Sequence, residues 1–93
     1  MIKSFRDKET KRLFNRERHR KLPASLQRTA KKKLNYIDAA ISLGSLNVPP
    51  GNRLEALKGS RAGQQSIRIN NQWRICFTWK SGNAFDVEIC DYR

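Results

Sequence analysis

The sequence predicts an α+β domain, with helices in the N-terminal half and an antiparallel meander in the last third. Three observations carry this. Leu26, Ala30, Leu34, Ile37 and Ile41 recur at spacings of three and four, as one apolar stripe on a helix requires. "QSIRIN", "WRICFTW" and "AFDVEIC" each alternate apolar with polar residues, and "NNQ" and "SGN" between them are turn chemistry. A chain of 93 residues, without repeats or low-complexity stretches, suits a single domain over 1–93. Such a chain buries somewhat over ~60% of its unfolded surface, so one modest core is expected.

Taken in order, "MIKSF" reads as a short first strand anchored by Ile2 and Phe5. Asp7 is a suitable N-cap for a helix reaching about Phe14, because its carboxylate accepts from first-turn amides. "NRERHRK" is polar and mostly basic, hence a loop or a frayed helix end. Its histidine, His19, has no carboxylate or second histidine patterned beside it, so a solvated, RNA-facing position is expected rather than a catalytic base. Pro23 fits the first turn of a second helix, where its missing N–H costs nothing, and Gly44 is a reasonable stop. Lys31, Lys32 and Lys33 fall mostly off the apolar stripe. "NVPPGNRLEALKGSRAGQ" is a turn-rich connector in which "LEALKG" forms a short helical turn or a bridge strand.

The meander fixes its own register. A shared apolar face must collect Ile67, Ile69, Trp73, Ile75, Phe77, Trp79, Phe85, Val87 and Ile89, all odd-numbered, since a slip of one residue would turn each outward. Three-residue loops at Asn70–Gln72 and Ser81–Asn83 then set Ile69 against Trp73 and Phe77 against Val87. On the even face Arg68 meets Arg74, Arg74 meets Cys90, and Tyr92 extends the same side. Like charges directly across a sheet repel, where a good pair contributes roughly 0.2–1 kcal/mol. Two facing arginines make sense around an anion, and paired guanidinium donors suit phosphate; both fanning into water is the alternative. Lys58, Arg61 and Glu55 precede the meander and could close over its polar face.

Charge names the kind of partner. The net charge is +12, and residues 1–33 hold 13 basic and 3 acidic groups, against 7 and 5 in the remainder. Such an imbalance points to a polyanion. Arg12, Arg16, Arg18, Arg20 and Lys31 to Lys33 are the expected phosphate contacts. No apolar run is long enough to span a membrane and no signal segment opens the sequence, so a soluble, cytoplasmic protein is expected. Cys76 and Cys90 are too few and too far apart for a metal motif or a disulfide framework, and reduced thiols packed on the sheet are expected.

The stretch "LEALKGSRAGQQSIRINNQWRICFTW" followed by "VEICDY" resembles the HigB group of the RelE-type bacterial toxins. "MIKSF" and "LNYIDAAISLGSLNVPPGNRLEALKG" fit as well, and the likeness is weakest over residues 6–33. The resemblance implies two N-terminal helices packed on one face of a twisted, mainly antiparallel sheet. It implies a toxin of a type II toxin–antitoxin system, a ribosome-dependent endoribonuclease that cuts mRNA in the A site without a metal or other cofactor. It further implies a HigA-type helix-turn-helix antitoxin as partner, with operator DNA reached only through that complex. Position by position, Lys58 matches the lysine of L-K-G, Arg74 the arginine of W-R-I, and Asp91 and Tyr92 the terminal acid and tyrosine. Two departures stand out. Many relatives have histidine where this chain has Glu55, and the group usually ends D-Y-H where this chain has Arg93. A carboxylate can act as a base toward a 2′-hydroxyl, but a guanidinium holds its proton and serves only to bind phosphate and stabilise charge. Either Tyr92 and Lys58 take over the proton, or the chain is an attenuated or non-catalytic RNA binder.

Overall fold

The computed structural model describes residues 1–47 and 50–91. Two helices, α1 (Lys8–Phe14) and α2 (Gln27–Ala39), precede a four-stranded antiparallel sheet. Its strands are β1 (Glu55–Ala56), β2 (Gln65–Arg68), β3 (Trp73–Lys80) and β4 (Asn83–Asp91), in spatial order 1-2-3-4. Asp7 caps α1 as expected, its Oδ2 accepting from Thr10 N at 3.1 Å. Of the two readings of "LEALKG", the bridge strand holds: Glu55 and Ala56 bridge to β2, and a 3-10 turn follows at Gly59–Arg61.

"MIKSF" lies parallel along the outer edge of β4, bridging at Ile2–Ala84 and Phe5–Val87. Beyond Phe5 the chain turns into α1, and the buried Thr10 continues the edge by accepting from Ile89 N at 3.0 Å through its hydroxyl. The strand edge is thereby covered, which removes a row of unpaired backbone groups. Ile2 N also donates to Asp38 Oδ1 at 2.9 Å, tying this segment to α2.

The core lies between the helices and the odd-numbered sheet face, where Leu34, Ile37, Ile67, Ile75, Phe77 and Val87 are fully buried. Ile41 departs from the expected stripe. α2 ends at Ala39, Ala40 is extended at ψ 129°, and the redirected Ile41 is 89% exposed.

The β3–β4 hairpin also departs from expectation. Lys80 pairs with Asn83, so the loop is two residues, Ser81 and Gly82, both with positive φ. That is the primed turn whose twist matches the strands. A two-residue loop alone would shift the register by one and reverse the faces of β4. A bulge between Cys76 and Thr78 corrects it: Thr78 pairs with Phe85, whereas Cys76 pairs with Glu88 and Ile75 with Ile89. Asp86 absorbs the extra residue at φ 53°, its N–H satisfied by Ser4 Oγ at 2.9 Å. Phe77 and Val87 stay in the core beside this irregularity, but Phe85 moves to the opposite face, and the buried Ala84 takes the inward place opposite Trp79.

Candidate active site

Arg68 and Arg74 are direct cross-strand partners on the even face, and Arg74 is opposite Cys90 on its other side. The Arg74 side chain is nevertheless only 11% exposed. Its Nε donates to Ser66 Oγ at 2.8 Å, one Nη donates to the Arg53 carbonyl at 2.8 Å, and Glu55 Oε1 lies 3.6 Å from the same nitrogen. Arg53 itself has φ 45°, in the left-handed region that residues with a side chain seldom adopt. Arg68 donates to Asn71 Oδ1 in the following loop, where Asn70 Oδ1 accepts from Gln72 N and Trp73 N. Together Arg53, Glu55, Arg68, Asn70, Asn71 and Arg74 line a cleft of about 210 Å³. Three guanidiniums face one carboxylate there, so the cleft suits an anion, and guanidinium forks match phosphate oxygens.

Lys33 supports the cleft from the helical layer. Its ammonium donates to the Arg68 carbonyl. Burial first, then the charges of Arg68, Lys32 and Arg74, lower its pKa. Lys33 is therefore a half-buried tie between α2 and the end of β2, unlike the open phosphate contact expected for it.

The other expected site residues are placed elsewhere or lie outside the described residues. Lys58 is exposed just before the Gly59–Arg61 turn and does not line the cleft. Arg61 donates to Glu88 Oε1 at 2.7 Å and to Gln64 Oε1 at 3.1 Å, and the Glu88 bond is the main cause of its raised pKa. Asp91 pairs with Trp73, which puts it on the face opposite Arg74, and its Oδ2 accepts from Gln72 Nε2 at 3.1 Å. It lines a separate pocket with Asp7, Glu9, His19, Lys21 and Trp73. Tyr92 and Arg93 lie outside the described residues.

His19 corrects the expectation of a solvated loop: it is 2% exposed. Its Nδ1 accepts from Lys21 N and Leu22 N, both at 3.2 Å, and burial holds its pKa below the ordinary 6.5. Two donors at Nδ1 leave the proton on Nε2, so this histidine organises the loop as a neutral ring.

The basic N-terminal third divides in two. Arg16, Arg18, Arg28 and Lys31 rim a groove of about 980 Å³ between α1 and α2, floored by Leu13. Lys31 is steadied by the Phe14 ring, 5.0 Å away, and by Asn35 Oδ1 at 2.9 Å. Arg12 leans toward Glu9, with 4.0 Å between charged atoms, Lys32 sits over the Tyr36 ring, and Arg20 is exposed.

Sequence reasoning missed Ser66, Arg53, Asn70 and Asn71. The strand alternation carries Ser66 onto the face of Arg74, and a lone polar side chain at a buried β2 position was the available signal. No periodic signal marks Arg53, which reaches the cleft by a loop conformation.

A helical pair packed on an antiparallel sheet is the fold of the RelE-like toxins. YafQ from E. coli strain BL21(DE3) has this fold, with a TM-score of 0.57 at 12% identity over 98% of this chain and 93% of its own. The family model described as the RelE-like toxin of type II toxin–antitoxin system HigB matches residues 3–92, and the chain belongs to that HigB-like family. Among curated relatives, Toxin HigB-1 of Vibrio cholerae serotype O1 is 39% identical over 88 residues, covering 94% of this chain and 93% of the relative. Endoribonuclease HigB of Proteus vulgaris is 37% identical over 92 residues and 99% of each chain. The chain is thus the toxin of a type II toxin–antitoxin pair, a class defined by a cognate antitoxin. No helix among the described residues is long and apolar enough to cross a membrane.

Proposed function

We propose that this toxin is a ribosome-dependent endoribonuclease that cleaves mRNA in the A site. The observation that carries the reading is the Arg68–Arg74 pair, held facing across β2 and β3 with Glu55 beside it. In the reaction the 2′-hydroxyl oxygen attacks the adjacent phosphorus, the bond to the 5′-oxygen breaks, and a cyclic phosphate and a 5′-hydroxyl result. Glu55 takes the 2′ proton. Arg74 and Arg68 stabilise the charge that builds on the phosphoryl oxygens, the role in which preorganised donors are most effective. Lys58, Asp91 and Tyr92 enter by resemblance: Lys58 and Tyr92 as sources of the proton for the 5′-oxygen, Asp91 as the terminal acid of the family pattern. The name of the Proteus vulgaris relative supports endoribonuclease chemistry. The cations of the helical groove dock ribosomal phosphates, and a HigA-type helix-turn-helix antitoxin is the neutralising partner, through which alone operator DNA is reached.

A second reading, an attenuated or non-catalytic ribosome binder, is favoured by Arg93 standing where the family ends in histidine and by Glu55 being engaged with Arg74. Mapping mRNA ends in a translation reaction tests both. The enzyme produces new ends within the A-site codon, and Arg93→His raises their yield because imidazole exchanges protons near neutral pH. Absence of new ends with either protein, alongside ribosome binding, selects the binder.

A further inference from the structure

Buried polar atoms normally have a hydrogen-bond partner, so those without one call for an explanation. Among the described residues, three buried side-chain atoms lack a partner: Asp7 Oδ1, His19 Nε2 and Trp73 Nε1. They come from separate segments, the cap of α1, the loop before α2 and the first residue of β3. Yet all three residues line one pocket of about 460 Å³. His19 is 2% exposed and Trp73 9%, so both nitrogens are held inside the fold.

The three atoms differ in what they offer. His19 Nδ1 already accepts from Lys21 N and Leu22 N, which leaves a hydrogen on Nε2. An indole nitrogen is a donor only. Asp7 spends Oδ2 on capping α1 through Thr10 N, and Oδ1 is left to accept. The pocket therefore presents two N–H donors and one carboxylate oxygen. The glutamates on its wall are already engaged, Glu9 by Arg20 N at 2.8 Å and by Arg12, Glu88 by Arg61 at 2.7 Å and by Arg6. The Arg6 and Arg12 side chains keep 58% and 40% of their surface exposed, so a phosphate attached to a bound base meets cations beside these walls.

We propose that this pocket binds a guanine base, carried by single-stranded RNA or by a free guanine nucleotide. The Watson–Crick edge of guanine sets one carbonyl acceptor, O6, beside two donors, N1–H and the 2-amino group. O6 accepts from His19 and Trp73, and the donor pair turns to Asp7 Oδ1. Adenine and cytosine would set a ring-nitrogen acceptor against the carboxylate, and uracil a second carbonyl. Bases splayed from single strands are read on this edge. The pocket is also joined to the arginine cleft through the β2–β3 loop, because Asn70, which lines the cleft, accepts from Trp73 N at 2.7 Å. The site rests on the RNA-binding part of the proposed function and needs no cleavage.

The test follows the indole N–H resonances of the isotope-labelled protein. Trp73 and Trp79 are its only tryptophans, and Trp73→Phe assigns the pair. GMP should shift the Trp73 resonance saturably and leave Trp79 in place. AMP, CMP and UMP should bind on the order of ten- to a hundredfold more weakly, the usual penalty for a mismatched base edge. Asp7→Asn keeps the helix cap, since asparagine caps as well as aspartate does, but turns the acceptor in the pocket into a donor. That variant should lose GMP by a similar factor and accept xanthosine monophosphate, which has a carbonyl in place of the 2-amino group. Trp73→Phe, read by calorimetry, should weaken GMP without destabilising the fold, since the nitrogen it removes has no partner.

A short uridine RNA carrying one guanine, set against the same RNA carrying adenine, separates the two sources. A response to GMP alone keeps the guanine site and assigns it the free nucleotide. Equal responses to all four nucleotides, or to inorganic phosphate, show an anion contact without base recognition and overturn the site. An unmoved Trp73 resonance at millimolar GMP leaves the three atoms to water and overturns it too. So does a response only to N-acetyl-arginine amide, which marks a dock for a cationic protein segment. No ribosome or cleavage enters the titration, so its failure is distinct from failure of the enzymatic reading.

Discussion

Arg74 on the sheet and Arg16 on the helical layer carry the same guanidinium in opposite circumstances. Arg74 is fixed by Ser66, the Arg53 carbonyl and Glu55, in a cleft of about 210 Å³. Arg16, with Arg18 and Arg28, makes no side-chain ion pair or hydrogen bond among the described residues, and rims a groove more than four times larger. A donor already in place stabilises transition-state charge without reorganising, whereas loosely held surface cations act by neutralising phosphates and releasing counterions. Under the proposed function this difference gives the chemistry to the cleft and the docking to the groove, a division that the net charge alone does not make.

The sharpest way to break that division is Arg74→Ala. Cleavage in a translation reaction should fall about 10²–10³-fold, the usual cost of one preorganised donor, while ribosome affinity changes little. Stability should also drop by about 1–3 kcal/mol, because buried Ser66 loses its partner; a denaturant titration separates the two effects. Replacing Arg16, Arg18, Arg28 and Lys31 together by glutamine should do the reverse. The dependence of log ribosome affinity on log salt should become shallower by up to ~3, at about 0.7 per lost phosphate contact on single strands. An unchanged slope would mean that the groove serves another partner.

Two smaller effects concern what the basic third does structurally. His19 is neutral in the fold with a lowered pKa, so the unfolded chain binds its proton more readily. Stability should be complete above about pH 6.5, decline as pH falls below that value, and level off once the folded ring also titrates. His19→Gln should remove that part of the pH dependence in thermal melts. Ile41→Ser should be nearly silent, within about 0.5 kcal/mol, since Ile41 is exposed.

Much of the fold is legible in residue patterns because one buried face forces one register. The odd-numbered apolar set placed Arg68 against Arg74 and Arg74 against Cys90, and the structure has those pairs. The Asp7 cap, the two helices and the bridge at Glu55 follow from equally local chemistry. Phe85 and Ile41 were misplaced for one reason: alternation and helical period continue on paper past a bulge or a helix end. Asp86 in the left-handed region and Ala40 in the extended region interrupt them.

By itself, then, the sequence determined the α+β class, the meander register beside β2, the facing arginines and the concentration of positive charge in the first third. Each follows from local spacing or from summed charge. Only the tertiary structure decided that Arg74 is clamped, that His19 is buried, and that Leu57 packs with Cys76 and Cys90. Those depend on which residues from separate segments come within about 4 Å, the range at which hydrogen bonds and contacts act. A one-dimensional pattern carries no record of such distances.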